Sequence, residues 1–137
     1  MSKAMKLALG LGCDRGTPTA TVQQALDEAL AQLGASLADI AAVASIDLKA
    51  DEAGFAELAR RHGWSIQFYP AVELARVAVP NPSETVRKYT GTPSVSEAAA
   101  LLAAGQAANP AALVVEKHKL RGADGKNATL SLARIPQ

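Results

Sequence analysis

Apolar and polar positions follow one another in short blocks whose period changes at regular punctuation. Residues 5–11 form an apolar run that closes in Gly10-Leu11-Gly12, as a buried strand does. Beyond Cys13-Asp14-Arg15-Gly16, Thr17 and Pro18 read as a helix N-cap and first helical residue, since proline there forfeits no hydrogen bond. Val22, Leu26, Ala29, Leu30 and Leu33 then recur at helical spacing, and Gly34 suits the left-handed residue that ends a helix. Ser36 and Asp39 form a capping box for one further turn. Residues 40–46 are a second apolar run, expected of a strand covered on both faces.

The second half repeats the alternation. After the polar junction Asp47-Leu48-Lys49-Ala50-Asp51-Glu52, Phe55, Leu58 and Ala59 share a helix face that closes at His62-Gly63. Residues 64–69 make a third strand, and 70–76 a turn or two of helix. Each proline of Pro80-Asn81-Pro82 biases its predecessor toward extended backbone, which makes this the one candidate hinge. Asn81 is placed to cap a helix with Pro82 at its first position and Glu84 at its third, and Ser94 with Glu97 forms a capping box for an Ala/Leu helix ending at Gly105. Residues 112–117 are a fourth strand and 128–135 a fifth, joined across 118–127 as a hairpin with a long loop. The order predicts an α/β fold: a single-domain three-layer sandwich over residues 1–137, with a mixed five-stranded sheet, parallel early strands and a C-terminal antiparallel hairpin.

Composition narrows the function classes. A chain of 137 residues suits one domain, and 49% hydrophobic with 20% charged residues belongs to an ordered globular protein. The single cysteine excludes a disulfide framework and any multi-cysteine metal site. A net charge of +1 and 4% aromatics argue against nucleic acid as a partner, and no apolar run reaches the ~18 residues a membrane span needs. The start, Met1-Ser2-Lys3-Ala4-Met5-Lys6, leads into too few apolar residues for a secretory leader, so a cytoplasmic location is expected.

Open α/β sheets place ligands on the polar loops that follow buried strands, and three loops qualify. The first, 10–16, carries glycines that let backbone approach an anion and Arg15 as a bidentate clamp, but has neither a dinucleotide fingerprint nor a P-loop. A tight turn with solvated Arg15 accounts for it equally, and Cys13 reads as a small packing residue because no histidine lies nearby to serve as its base. In the second, 47–52, Asp47 and Lys49 share a direction if the chain stays extended. Asp51 or Glu52 can serve the following helix start, whereas Lys49 beside that start is unexplained without an anionic partner. The third, Glu116-Lys117-His118-Lys119-Leu120-Arg121 with Lys126, is either a solvated hairpin or a cationic rim for a polyanion. His62 and His118 have no metal-ligand spacing, and no metal or cofactor is expected.

Taken in order, Gly10 to Gly16, Ala44 to Glu52, Pro82-Ser83-Glu84 to Gly91, Ser94 to Ala100, Leu113 to Lys117 and Ala128 to Arg134 resemble the CobE family of cobalamin biosynthesis and the C-terminal domain of the CbiG family, the cobalt-precorrin-5A hydrolases. The resemblance implies a precorrin or corrinoid ligand, flat and apolar across its face and rimmed with acetate and propionate carboxylates, and other corrin-pathway enzymes as further partners. Arg15, Lys49, Lys117 and Lys119 suit such a rim, a guanidinium gripping carboxylates bidentately and a lysine acting as a mobile charge. Gly12, Cys13, Gly16, Asp47 and Ser94 complete the expected ligand-binding set. Hydrolases of this family carry additional N-terminal regions not found in this sequence, so the expectation is an accessory, carrier or delivery role. The alternative is hydrolysis of a ring-contracted precorrin lactone with loss of a two-carbon fragment. Asp47, Glu52 and Glu97 are then the candidate catalytic carboxylates, with Asp14 a further available base.

Overall fold

The computed structural model describes residues 5–136; residues 1–4, the first four of the six-residue start discussed above and including Lys3, lie outside them, as does Gln137. The elements run β1 (Leu7–Cys13), α1 (Thr19–Leu33), β2 (Ile40–Ile46), α2 (Ala53–His62), β3 (Ile66–Tyr69), α3 (Ala71–Leu74), α4 (Glu84–Thr90), α5 (Val95–Ala103), β4 (Leu113–Arg121) and β5 (Asn127–Arg134). Single 3-10 turns fall at Leu37–Asp39, Asp47–Lys49 and Pro110–Ala112. The sheet order is β3-β2-β1-β5-β4, with β1, β2 and β3 parallel and β5 antiparallel to both β1 and β4. The expected mixed five-stranded sheet with its C-terminal hairpin is therefore present.

The strand period of two sorts the core. Leu7, Leu9 and Leu11 of β1 join Leu130 and Leu132 under α1 and α2, against Val22, Leu26, Phe55 and Leu58. The alternate residues face α5, where Ala8 and Ala133 meet Ala98 to Leu101. Small residues on both sides let this helix lie almost on the sheet: a Cβ added to Gly10 would stand 1.9 Å from the Ser96 carbonyl oxygen. That close approach sets the N-terminus of α5 beside the C-terminal end of β1. The antiparallel run of β5 brings Asn127 to the same end of the sheet, where Cys13 pairs with Ala128.

Several local expectations give way to tertiary demands. α1 begins two residues beyond Thr17, with Pro18 as its cap, and the Thr17 hydroxyl instead donates to the Asp14 carbonyl at 2.7 Å. Residues 47–49 wind into a 3-10 turn, so Asp47 and Lys49 do not share a direction: Asp47 is exposed and the Lys49 side chain is only 14% exposed. Ser83, rather than Asn81, caps α4 by accepting the Val86 N–H at 3.2 Å. Glu97 does not close a capping box with Ser94, because its carboxylate is taken by Asn81. Strand β4 continues to Arg121, leaving a loop of residues 122–126 in place of the longer one expected. The box at Ser36 and Asp39 forms as expected, and Gly34 and Gly63 end α1 and α2 in the left-handed region, at φ 69° and 72°.

Candidate functional site

A cleft of about 630 Å³ opens at this end of the sheet, between the β1–α1 loop, α4, the start of α5 and the β4–β5 hairpin. Four cations line it, Arg15, Lys49, Lys117 and Lys119, against one carboxylate, Asp14. Gly12, Cys13 and Ser94 lie in its walls as well. Seven of the nine expected ligand-binding residues thus meet in one place, drawn from segments more than a hundred residues apart. Gly16 and Asp47 are not among the lining residues; Gly16 borders a second, more open groove of about 530 Å³ between the start of α1 and α2.

The cations are held differently. The Arg15 guanidinium spans the neighbouring loop, donating to Asp51 Oδ1 at 2.7 Å and the Leu48 carbonyl at 2.9 Å, with Glu52 Oε2 3.0 Å away. The hydrogen bond from Arg15 holds the Asp51 carboxyl below its usual range, and the same bond raises the guanidinium. Lys49 Nζ stands 3.8 Å from Glu52 Oε2. Lys117 Nζ donates to the Asn81 carbonyl at 3.0 Å, which ties the prolyl segment to β4. Lys119 makes no ion pair or side-chain hydrogen bond among the described residues, and its ammonium faces the cleft unclaimed. The alternation of β4 sends His118 to the opposite face, where Nε2 meets Glu28 Oε1 at 2.7 Å and Nδ1 meets the Gln32 amide at 2.9 Å. His118 is accordingly no part of this rim.

The candidate acids are engaged as structural acceptors. Glu52, 3% exposed, takes the Gly16 N–H at 3.0 Å, so the amide expected to greet an external anion is already occupied by an internal one. Glu97 is fully buried and accepts the Asn81 backbone N–H at 3.2 Å and its side-chain amide at 2.6 Å. Asp14 Oδ2 accepts the backbone and side-chain N–H groups of Asn127 at 2.8 and 2.9 Å, locking the first loop to the hairpin. Burial pushes the Cys13 thiol up to about 11, more than the nearby Lys49 charge pulls it down, so the cleft holds no ready thiolate nucleophile. Among the described residues, no group of three or more His, Cys, Asp or Glu side chains is placed to hold a metal ion.

Sequence reasoning missed the α4 contribution. Thr85 and Tyr89, one helical turn apart, both line the cleft, and Tyr89 is 74% exposed. Asn127 and Thr129 add polar groups from β5. No signal in the sequence marked Tyr89, whose exposure is seen only in the folded chain.

A family model described as cobalamin synthesis G C-terminus matches residues 7–133. A cobalt-precorrin-5A hydrolase of Priestia megaterium is 40% identical over 130 residues, covering 95% of this chain and 32% of the relative, so the chain spans about a third of that protein's length. Protein CobE of Sinorhizobium sp is 41% identical over 113 residues, covering 81% of this chain and 71% of the relative. The crystal structure of CobE, from the cobalamin biosynthetic pathway, superposes with a TM-score of 0.76 at 31% identity, over 99% of this chain and 94% of that one. With the fold, the matched span and these relatives in agreement, the chain belongs to the cobalamin synthesis G C-terminal family and is a protein of cobalamin biosynthesis.

Proposed function

We propose that the cleft binds a polycarboxylate precorrin or corrin intermediate and that the protein carries or delivers it to other enzymes of the pathway. The observation that supports this most directly is the convergence of Arg15, Lys49, Lys117 and Lys119 on one cleft in a chain whose net charge is only +1. Ordinary solvated surface charge would be scattered with both signs interspersed. The exposed ring of Tyr89 at the same rim suits a flat apolar ligand face, while the cations suit its carboxylate edge.

Titration of the protein with hydrogenobyrinic acid, followed in the ligand's absorbance, should give saturable binding that weakens as salt is raised. Lost charge-assisted bonds cost on the order of 1.5–3 kcal/mol, so Arg15→Ala and Lys49→Ala should each weaken binding at least tenfold. Indifference to hydrogenobyrinic acid and to other carboxylate-rich corrinoids would end the proposal.

A hydrolase acting on a precorrin lactone is the second possibility, favoured by the name of the Priestia megaterium relative. What weighs against it is the engagement of Glu52 and Glu97 as internal acceptors, and the place of Asp47 outside the cleft lining. Incubation with a lactone-containing precorrin separates the two: aldehyde release lost in Asp47→Asn would replace carriage with catalysis.

A further inference from the structure

We propose that the first turn of α5 is a seat for a single carboxylate of the ligand, with the Ser94 hydroxyl as its dedicated donor and the bare backbone of Gly12 as the opening that admits it. The inference rests on the cleft being the corrinoid site and says where within it one acid group docks. Helix α5 is nine residues long, and the N–H groups of a first helical turn have no partner within the helix. No side chain caps them here: Ser94 stands at the N-cap and makes no cap bond, and Glu97 is drawn away to Asn81.

The Ser94 hydroxyl is the second observation. Ser94 is 1% exposed, lines the cleft, and its Oγ has no hydrogen-bond partner among the described residues. Three neighbouring hydroxyls are engaged: Ser83 accepts from Val86 N, Thr90 donates to the Val86 carbonyl, and Ser96 pairs with Ser131 at 2.9 Å. Thr92 is the other orphan nearby, but it does not line the cleft. A buried hydroxyl left unpaired is costly, and such groups persist where a partner arrives with function. The partner expected here is an acceptor, because helix amides and the lysines of the opposite wall all donate.

Gly12 explains why the place is open. A Cβ built on it would lie 3.9 Å from Ser96 N and 3.8 Å from Thr129 Cβ, in ordinary contact with the protein, so a methyl fits without strain and fills the space before that amide. A carboxylate entering there meets the Ser96 N–H and the Ser94 hydroxyl, with Lys117 and Lys119 lining the same cleft.

The test titrates wild type, Ser94→Ala and Gly12→Ala with hydrogenobyrinic acid, and follows the Ser96 amide proton by NMR. Expected are an affinity loss of about tenfold in Ser94→Ala and more in Gly12→Ala. Wild type should show a downfield Ser96 shift on binding that Gly12→Ala lacks. The melting temperature of free Ser94→Ala should hold or rise, since the hydroxyl removed was unpaired. Wild-type binding with both variants within twofold of it would overturn the seat while leaving the cleft in place. Loss of thermal stability in Ser94→Ala matching its loss of affinity would also overturn it, by making Ser94 a structural cap. No binding by wild type would remove the corrinoid site itself, and the seat with it.

Discussion

The Glu52 carboxylate holds the backbone N–H of Gly16 at 3.0 Å across 36 residues of sequence. The same carboxylate lies 3.0 Å from Arg15 Nη1 and 3.8 Å from Lys49 Nζ. One buried acid thus neutralises part of the charge of two cleft cations and fastens the β1–α1 loop to the start of α2. The glycine-rich loop that suggested an anion site is filled from within, which leaves the proposed binding to the cations that line the cleft.

Glu52→Gln keeps an oxygen to accept the Gly16 N–H but removes the charge beside Arg15 and Lys49. The variant should lose about 1–2 kcal/mol of stability, the cost of weakening charge-assisted bonds at a buried site. For a chain of this size that is a fall in melting temperature of roughly 3–7 °C, measurable by thermal denaturation. An unchanged melting temperature would show that the ion cluster contributes nothing to the fold.

Lys117 and Lys119 lie on one face of β4, as their spacing of two requires, yet only Lys117 is tied to Asn81. Lys119→Ala should therefore weaken corrinoid binding and leave the melting curve within ~0.5 kcal/mol of wild type, the ordinary effect of an exposed substitution. Lys117→Ala should weaken binding and also loosen the prolyl segment, seen as faster amide exchange around Asn81. Equal exchange rates in the two variants would contradict the assigned tether. His118→Ala, on the opposite face, should leave binding unaltered.

Cys13 supplies a pH test. With its thiol raised from 9.0 to about 11, mainly by burial, the neutral form is favoured in the folded chain. At pH 8 only about 0.1% is thiolate, so alkylation by iodoacetamide should be slow and should climb steeply up to pH ~11. The sign for stability is fixed by the same shift. A folded value above the unfolded one contributes stability in full below pH 9.0, and loses it as pH rises toward about 11. Rapid alkylation at pH 7 would show that the thiol is not desolvated as the cleft wall implies.

Most of the fold was legible because its signals are local. The apolar runs of β1 and β2, the spacing of Val22, Leu26 and Leu30, and the glycines after α1 and α2 each act through neighbours in the chain. The errors came where a distant partner outbid a near one. Glu97 gives up its capping box for Asn81, Thr17 gives up its cap with its hydroxyl turned to the Asn127 as well as the Asp14 carbonyl, and β4 runs on through Lys119 because pairing with β5 compensates for its charges. The four cations were grouped by the family resemblance and not by any local pattern, since whether Lys49 turns inward is decided by the 3-10 turn at Asp47–Lys49. Tyr89 was invisible: α4 buries none of its residues, and only the folded chain brings that helix over the cleft.

Gly10→Ala should be the most damaging single methyl in the chain. Its Cβ would meet the Ser96 carbonyl oxygen at 1.9 Å and Ala100 N at 2.7 Å, both backbone atoms, so α5 must lift from the sheet. Overpacking of this kind costs ~1–3 kcal/mol and more where backbone must move, and here about 3 kcal/mol or more is expected in denaturant titration. Gly12→Ala, two residues on and without such contacts, is the matched comparison and should melt with wild type.

The lysine wall has a second consequence, for solubility. Strand β4 is the outermost of its sheet, and one row of its N–H and C=O groups faces solvent, a template onto which another chain's strand could add. Lys117, Lys119 and Arg121 on that strand charge its flank and make strand addition unfavourable, so two of the cations proposed to meet the ligand would also keep copies of the protein apart. Replacing Lys117 and Lys119 together with threonine should leave the sheet intact and yet raise turbidity on mild heating, an aggregation cost that neither binding assay would record.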